Sequence, residues 1–184
     1  MNKAQLLQRS QSGENAAIQA LVETYQSDVL RLARSILDDP NDAEEAMQEA
    51  FVTAFNALDS YRGEASFKTW LFSITINVCR RRLRKRKAQE RLMRAVQMLF
   101  WVGAGPAHPE EVVIRREART KLRDAIDALD EKHRLPILLY YNQDLPVAEI
   151  AQVLNLPVGT VLSRLYTARE RLRMALIDDL DSLM

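Results

Sequence analysis

Apolar positions recur every three or four residues along most of the chain. Ile18, Leu21, Val22, Tyr25, Val29, Leu32, Ala33, Ile36 and Leu37 form the first such stripe, which predicts a long amphipathic helix. Asp38, Asp39, Pro40 and Asn41 interrupt it. A second helix is expected from near Asp42, with Met47, Ala50, Phe51, Ala54, Phe55 and Leu58 inward and Glu44, Glu45, Gln48 and Glu49 outward. A polar turn over 59–64 contains Gly63, which can take a positive φ. Ser66 can then cap a third helix that starts at Phe67 and places Trp70, Leu71, Ile74 and Val78 on its inner face. These helices are expected to close a core around Tyr25, Phe51, Phe55, Trp70 and Ile74.

Residues 103–109 hold two glycines and two prolines and mark the expected domain boundary. Beyond it, a helix is expected over 112–129 with Val113, Leu122, Ile126 and Leu129 inward, then a short apolar helix over 135–141. Pro146 opens another, with Val147, Ile150, Ala151 and Leu154 inward. Asn155, Leu156 and Pro157 form a tight turn, with Asn155 suited to a left-handed conformation. A last helix over 160–176 follows. The reading is all-α: a domain over 1–94, a linker over 95–111 and a second domain over 112–184. One stripe crosses that plan. Leu92, Val96, Leu99 and Phe100 or Trp101 continue the third helix to about Val102, with an apolar end expected to pack on either domain or on a partner.

Charge changes the picture from a generic helical protein to one with two opposed surfaces. The net charge is only +1, from 26 basic and 25 acidic residues. Residues 38–64 nevertheless carry eight acids and one base, and residues 80–94 carry nine bases and one acid. The acidic block is expected to face solvent or a protein. The basic run from Arg80 to Lys87, seven cations in eight residues, is the expected polyanion surface. Cys79 is the single cysteine, so no intrachain disulfide can form, and the two histidines lack metal-ligand spacing. No glycine-rich phosphate loop or nucleophile motif is present, so no enzyme, cofactor or metal is expected. The N-terminus lacks the apolar core of a signal peptide, and no stretch is long enough to span a bilayer; a reducing cytoplasm fits.

The segment from Pro146 to Leu172 reads as helix, three-residue turn, helix. Its second helix offers Thr160, Ser163, Arg164, Tyr166, Thr167, Arg169, Arg171 and Arg173 to a major groove or to phosphates. Arg171 and Arg173 would also offset the helix dipole. The helix from Phe67 offers Lys68, Thr69, Ser73, Asn77, Arg80, Arg81 and Arg84, beside Tyr61, Phe67 and Trp70. Aromatics there can stack on unpaired bases for about 1–3 kcal/mol each. One domain therefore reads as suited to opened strands and the other to duplex.

With these residues in view, the stretch from Asp42 to Arg86 resembles region 2 of extracytoplasmic-function sigma factors, the small group-four members of the bacterial sigma-70 family. The stretch from Ala128 to Leu176 resembles their region 4. The resemblance implies binding to core RNA polymerase through its β′ clamp and β flap, direction of that enzyme to −35 and −10 promoter elements, and restraint by an anti-sigma factor, which could hold the chain at a membrane without insertion. It implies that Asp42, Glu45, Gln48 and Glu49 dock on the clamp. Tyr61, Arg62, Gly63, Phe67, Lys68, Thr69 and Trp70 match the strand-opening segment, and Asn77, Arg80, Arg81 and Arg84 the −10 reading helix. Glu149, Ile150, Ala151, Gly159, Thr160, Val161, Ser163, Arg164, Ala168 and Arg169 match the −35 module. The chain departs from the family pattern at Leu162 and Thr167, where cations are usual, at Pro157, where a serine is usual, and at Asp130, where a proline is usual.

Two rivals remain at this stage. A DNA-binding regulator acting without polymerase would leave the acidic stripe idle, and a purely protein-binding adaptor would leave the basic run unexplained.

Overall fold

The computed structural model describes residues 3–99 and 117–181, with side chains for residues 5–91 and 121–177. Every regular element among them is helical. The order is α1 (Lys3–Gln11), α2 (Asn15–Ile36), α3 (Pro40–Asn56), a 3₁₀ turn (Leu58–Ser60), α4 (Phe67–Leu99), α5 (Glu117–Ala128), α6 (Glu131–Tyr141), α7 (Val147–Leu154) and α8 (Val158–Asp181).

α1 has no counterpart in the sequence reading. Leu6 and Ser10 are buried on α2, and the Gln11 side-chain amide donates to the Leu58 carbonyl at 3.2 Å. Two adjacent leucines in nine residues are too few to establish a period, so only the docking reveals the helix. α3 starts at Pro40, two residues before the expected Asp42. Asp39 caps it by accepting from the backbone N–H groups of Asn41 and Asp42 at 2.8 and 2.9 Å, and proline suits the first helical position. Its inward face is mainly small, with Ala43, Ala46, Ala50 and Ala54 fully buried. That lets α2 and α4 approach it closely.

The first core centres on Leu32, Leu37, Leu71, Phe72 and Ile76, all fully buried. The expected centre is partly displaced: Tyr25 and Phe51 are buried, whereas Met47, Phe55, Trp70 and Ile74 lie at its half-buried rim. The reason is that α4 is packed by α2, α3 and α7 together. More of its circumference is covered than a single stripe indicates. Ser66 caps α4 as expected, accepting from the Thr69 N–H at 3.1 Å, and Gly63 has φ +74°. Cys79 is buried on the α3 side of α4, and burial pushes its thiol pKa up to about 12. The helical backbone of α4 continues to Leu99. The side chains of the expected Leu92 to Trp101 stripe, and the boundary at 103–109, lie outside the described residues.

In the second half, α6 begins at Glu131 rather than Leu135. Asp130, extended at φ −61° and ψ 150°, leads into it. Pro136 sits inside α6 and removes one early backbone bond. Leu129 is buried and Ile126 half-buried as expected, but Leu122 is 42% exposed. Leu122 is thus off the inner face of α5, whose contacts go to α8 alone among its strong neighbours. The turn after α7 is as read: Asn155 is left-handed at φ 52° and ψ 54°. α8 starts at Val158 and runs to Asp181, longer at both ends than the expected 160–176.

Truncation of the central ring, Phe72→Ala, should lower stability by about 3–5 kcal/mol in urea unfolding monitored by circular dichroism. Leu122→Ala should change it by no more than about 0.5 kcal/mol, because the side chain is already wet. Cys79 should resist thiol-specific reagents in the native chain and react fully in urea, since little thiolate exists at pH 8.

Candidate nucleic-acid interface

The acidic and basic blocks do not form two separate surfaces. α4 lies against α3, and Arg82 forks into three carboxylates. Its Nη1 donates to Asp42 Oδ1 at 3.2 Å and Glu45 Oε2 at 3.0 Å, and its Nε donates to Glu49 Oε2 at 3.0 Å. Burial disfavours the Arg82 charge, but the hydrogen bonds it donates to Glu45 and Glu49 outweigh that and raise its pKa. Arg81 also pairs with Glu49, and Arg86 with Asp38 at 3.3 Å. The expectation that the acids face only solvent or a protein is therefore corrected for Asp42, Glu45 and Glu49. Their placement follows from packing the alanine face of α3 on α4, which turns the next stripe of α3 toward the base of the cationic run. Arg82 was missed as a functional position. Its signal lay in the spacing: it follows buried Thr75 and Cys79 on the same face of α4. Gln48 stays exposed beside this network.

The segment before α4 builds an open pocket lined by Ser60, Tyr61, Arg62, Gly63, Glu64, Ala65 and Trp70. Tyr61 donates its hydroxyl to the Ala65 carbonyl at 2.6 Å and stands 5.1 Å, centroid to centroid, from Trp70. Phe67 is buried and packs under both rings. As a stacking platform Phe67 is thus corrected: it supports Tyr61 and Trp70 and presents no face of its own. Lys68 reaches back to Asp28 at 2.7 Å and lies over Phe72. Asn77, Arg81 and Arg84 are exposed along α4.

α7, the turn and α8 are held by Ile150, Ala151, Val153, Val161, Leu165 and Ala168, all buried. On the outer side of α8, Ser163 is exposed and donates to the Thr160 carbonyl at 3.0 Å. Arg169 is tied inward: its Nε donates to the Tyr141 hydroxyl at 3.1 Å, and its guanidinium lies over the Tyr140 and Tyr141 rings. Arg173 is exposed and pairs with Glu170 at 3.6 Å. Arg171 pairs with Asp130 at 3.6 Å, which is a more specific role than offsetting the helix dipole. Thr160, Arg164 and Thr167 are half-buried, and Tyr166 is exposed.

The two halves meet. α4 packs on α7 and α2 on α6. Thr69, buried, donates to Glu149 at 3.0 Å, Arg80 pairs with Glu131 at 2.6 Å, and Arg134 donates to the Ile36 carbonyl at 3.2 Å. Arg80 and Arg164 line one cleft between the halves with Glu131. So Thr69 and Arg80 are engaged by the second half, whereas Asn77 and Arg84 are open. Among the described residues, no cluster of His, Cys, Asp and Glu could hold a metal ion, and no helix is long and apolar enough to cross a membrane.

Comparison with known proteins settles the family. Residues 21–89 match the model for sigma-70 region 2, and residues 119–172 match that for sigma-70 region 4. The chain is 32% identical to the ECF RNA polymerase sigma factor SigW of Bacillus subtilis, across 94% of this chain and 95% of that protein. The chain belongs to the extracytoplasmic-function group of the sigma-70 family. The RNA polymerase sigma-H factor of Pseudomonas aeruginosa is 34% identical, over 94% of this chain and 92% of its own length. Among solved structures, CnrH in complex with the cytosolic domain of CnrY superposes with a TM-score of 0.69 at 25% identity, covering 95% of this chain and 96% of CnrH. RpoE of Bartonella quintana, solved with the anti-sigma factor NepR, shares the fold with a TM-score of 0.66 at 22% identity, covering 86% and 95%. This ECF chain is thus a transcription initiation factor with a DNA-binding region 4.

The Arg82 fork predicts an asymmetry within the cationic run. Arg82→Met, which keeps much of the apolar stem, should lower stability by about 1–3 kcal/mol, because three partly covered carboxylates lose a charged donor. Arg81→Met should cost less than about 1 kcal/mol, since its side chain is 60% exposed. Equal losses in urea titrations of the two variants would contradict the fork.

Proposed function

We propose that this ECF sigma factor docks on core RNA polymerase through Asp42, Glu45, Gln48 and Glu49, and reads −35 duplex and an opened −10 strand with its two halves. The observation that carries the reading is the end-to-end similarity to sigma factors, together with a helix-turn-helix whose turn geometry matches the sequence pattern. The docking face is prearranged: Arg82 holds Asp42, Glu45 and Glu49 in fixed positions while Gln48 remains free. Tyr61, Arg62 and Trp70 offer an aromatic-walled pocket to an unstacked base, with Phe67 and Lys68 bracing it. Asn77, Arg80, Arg81 and Arg84 lie along the helix that would track the separated strand. Thr160, Ser163, Arg164, Tyr166, Thr167, Arg169 and Arg173 form the −35 module, with Arg169 held by Tyr141.

The domain division proposed is 1–94, 95–111 and 112–184. Reading two separated promoter elements requires the α4–α7 contact to part, freeing Thr69 and Arg80. RpoE of Bartonella quintana is solved with an anti-sigma factor and CnrH with the cytosolic domain of CnrY, which supports an anti-sigma partner for this chain and a cytoplasmic site of action. A partner holding the halves together would keep those two residues engaged.

Run-off transcription with purified core RNA polymerase and a library of promoter fragments tests the whole reading; discrete transcripts dependent on the chain are expected, and none would overturn it. Charge reversal at Glu45 or Glu49 would also repel Arg82, so the docking test uses neutral variants. Glu45→Gln with Gln48→Ala should weaken core binding about tenfold, or about 1.4 kcal/mol, and lower stability by less than about 1 kcal/mol, because Glu45 is 67% exposed. Asn77→Ala should reduce permanganate reactivity of the −10 region more than polymerase binding.

A further inference from the structure

The outward face of α8 carries a line of apolar side chains. Val158, Leu162 and Tyr166 are 47%, 53% and 67% exposed and stand four residues apart, so they stack along one side of the helix. They lie about a quarter-turn round the helix from buried Val161, Leu165 and Ala168, along the edge of the exposed side. Among the described residues, nothing in the first half covers them in this closed arrangement. The polar groups around them are already committed in part. The Ser163 hydroxyl proton goes to Thr160, Arg169 is pinned on Tyr141, and Arg164 lines the cleft toward Arg80. The side of the exposed surface next to the buried face is therefore apolar, on the helix that the −35 reading puts into a major groove.

The stripe is one side chain wide, with Ser163 beside it and the paired Glu170 and Arg173 in the turns that follow. That shape suits a groove edged by phosphates better than a broad protein contact, whose centre needs a wider apolar patch. Only one feature of the major groove is recognised by apolar contact, the thymine C5-methyl group. We infer that Leu162 and Tyr166 read thymine methyls at adjacent positions of the −35 element. Gly159 supports a close approach at the same face. It has an ordinary helical φ and open space where a side chain would stand, so nothing within the chain calls for a glycine there.

This inference rests on the −35 role proposed above, and the test separates the two. Duplexes are selected from a random library by the full chain with core polymerase. Each thymine of the selected element is then replaced by deoxyuridine, which removes the methyl and keeps the base pairing. Affinity should fall about fourfold per contacted methyl at one or two neighbouring positions. Leu162→Ala and Tyr166→Ala should each bind thymine and uracil equally at its own position, with unchanged melting temperature, because both side chains are exposed. If selected duplexes bind and direct transcription but uracil has no effect at any position, the methyl contacts are refuted and the −35 role stands. A uracil penalty undiminished in both variants would also refute them. If Leu162→Ala instead weakens binding to core polymerase in the absence of DNA, the stripe is a protein contact and the inference fails. Absence of any selected duplex would defeat the underlying reading.

Discussion

Burial of most of the circumference of α4 is the constraint on which the other features depend. Leu71, Phe72, Ile76 and Cys79 need covering on more than one side, and α2, α3 and α7 supply it. Fully burying a large apolar side chain is worth roughly 1.5–3 kcal/mol, so Leu71, Phe72 and Ile76 set the placement of the helices around them. Once α3 is seated by its alanine face, Asp42, Glu45 and Glu49 have only one place to go, against Arg82. Once α7 is seated on the other side, Glu149 meets Thr69. The ionic network and the contact between the halves both follow from where the apolar face of α4 puts its neighbours.

The charge pattern takes on a different meaning in that frame. Along the chain, the net acid of 38–64 and the net base of 80–94 look like two surfaces for two partners. In space, Arg81, Arg82 and Arg86 answer Glu49, Asp42, Glu45 and Asp38. What stays exposed for a polyanion outside those pairs is narrower: Asn77, Arg84, Lys85 and Lys87 along α4. On the proposed assignment, a docking face made of tethered carboxylates is more ordered than one of free carboxylates. It loses less side-chain entropy on association, which favours a defined fit over diffuse attraction.

Much of the fold was legible because it rests on periodicity and on turn chemistry. The α2 stripe, the Ser66 cap, the Gly63 turn and the left-handed Asn155 each have a local cause, and each is found where the sequence indicates. What was not legible depends on contacts between distant elements. α1 is defined by docking, Leu122 points out because α5 meets mainly α8, and the buried centre moved from Trp70 to Phe72 because α7 covers a second side of α4. The site divides in the same way. Side-chain types on the exposed faces of α4 and α8 could be read directly. Whether a given group was free to act, as Asn77 is and Phe67 and Thr69 are not, required the tertiary structure.

The two halves differ in how ready they are. On the proposed assignment, the duplex-reading stripe of α8 is exposed while the halves are in contact, but Thr69 and Arg80 on the strand-reading helix are held by Glu149 and Glu131. Those are two polar contacts, one of them an ion pair with 38% and 54% of its side chains exposed, beside a small α4–α7 apolar seam. Partly exposed ion pairs contribute little, typically below about 1 kcal/mol. The packing of α4 on α7 and of α2 on α6 therefore supplies most of the contact between the halves. On the proposed function, opening would have to part both seams, whereas the apolar line on α8 is exposed without that change.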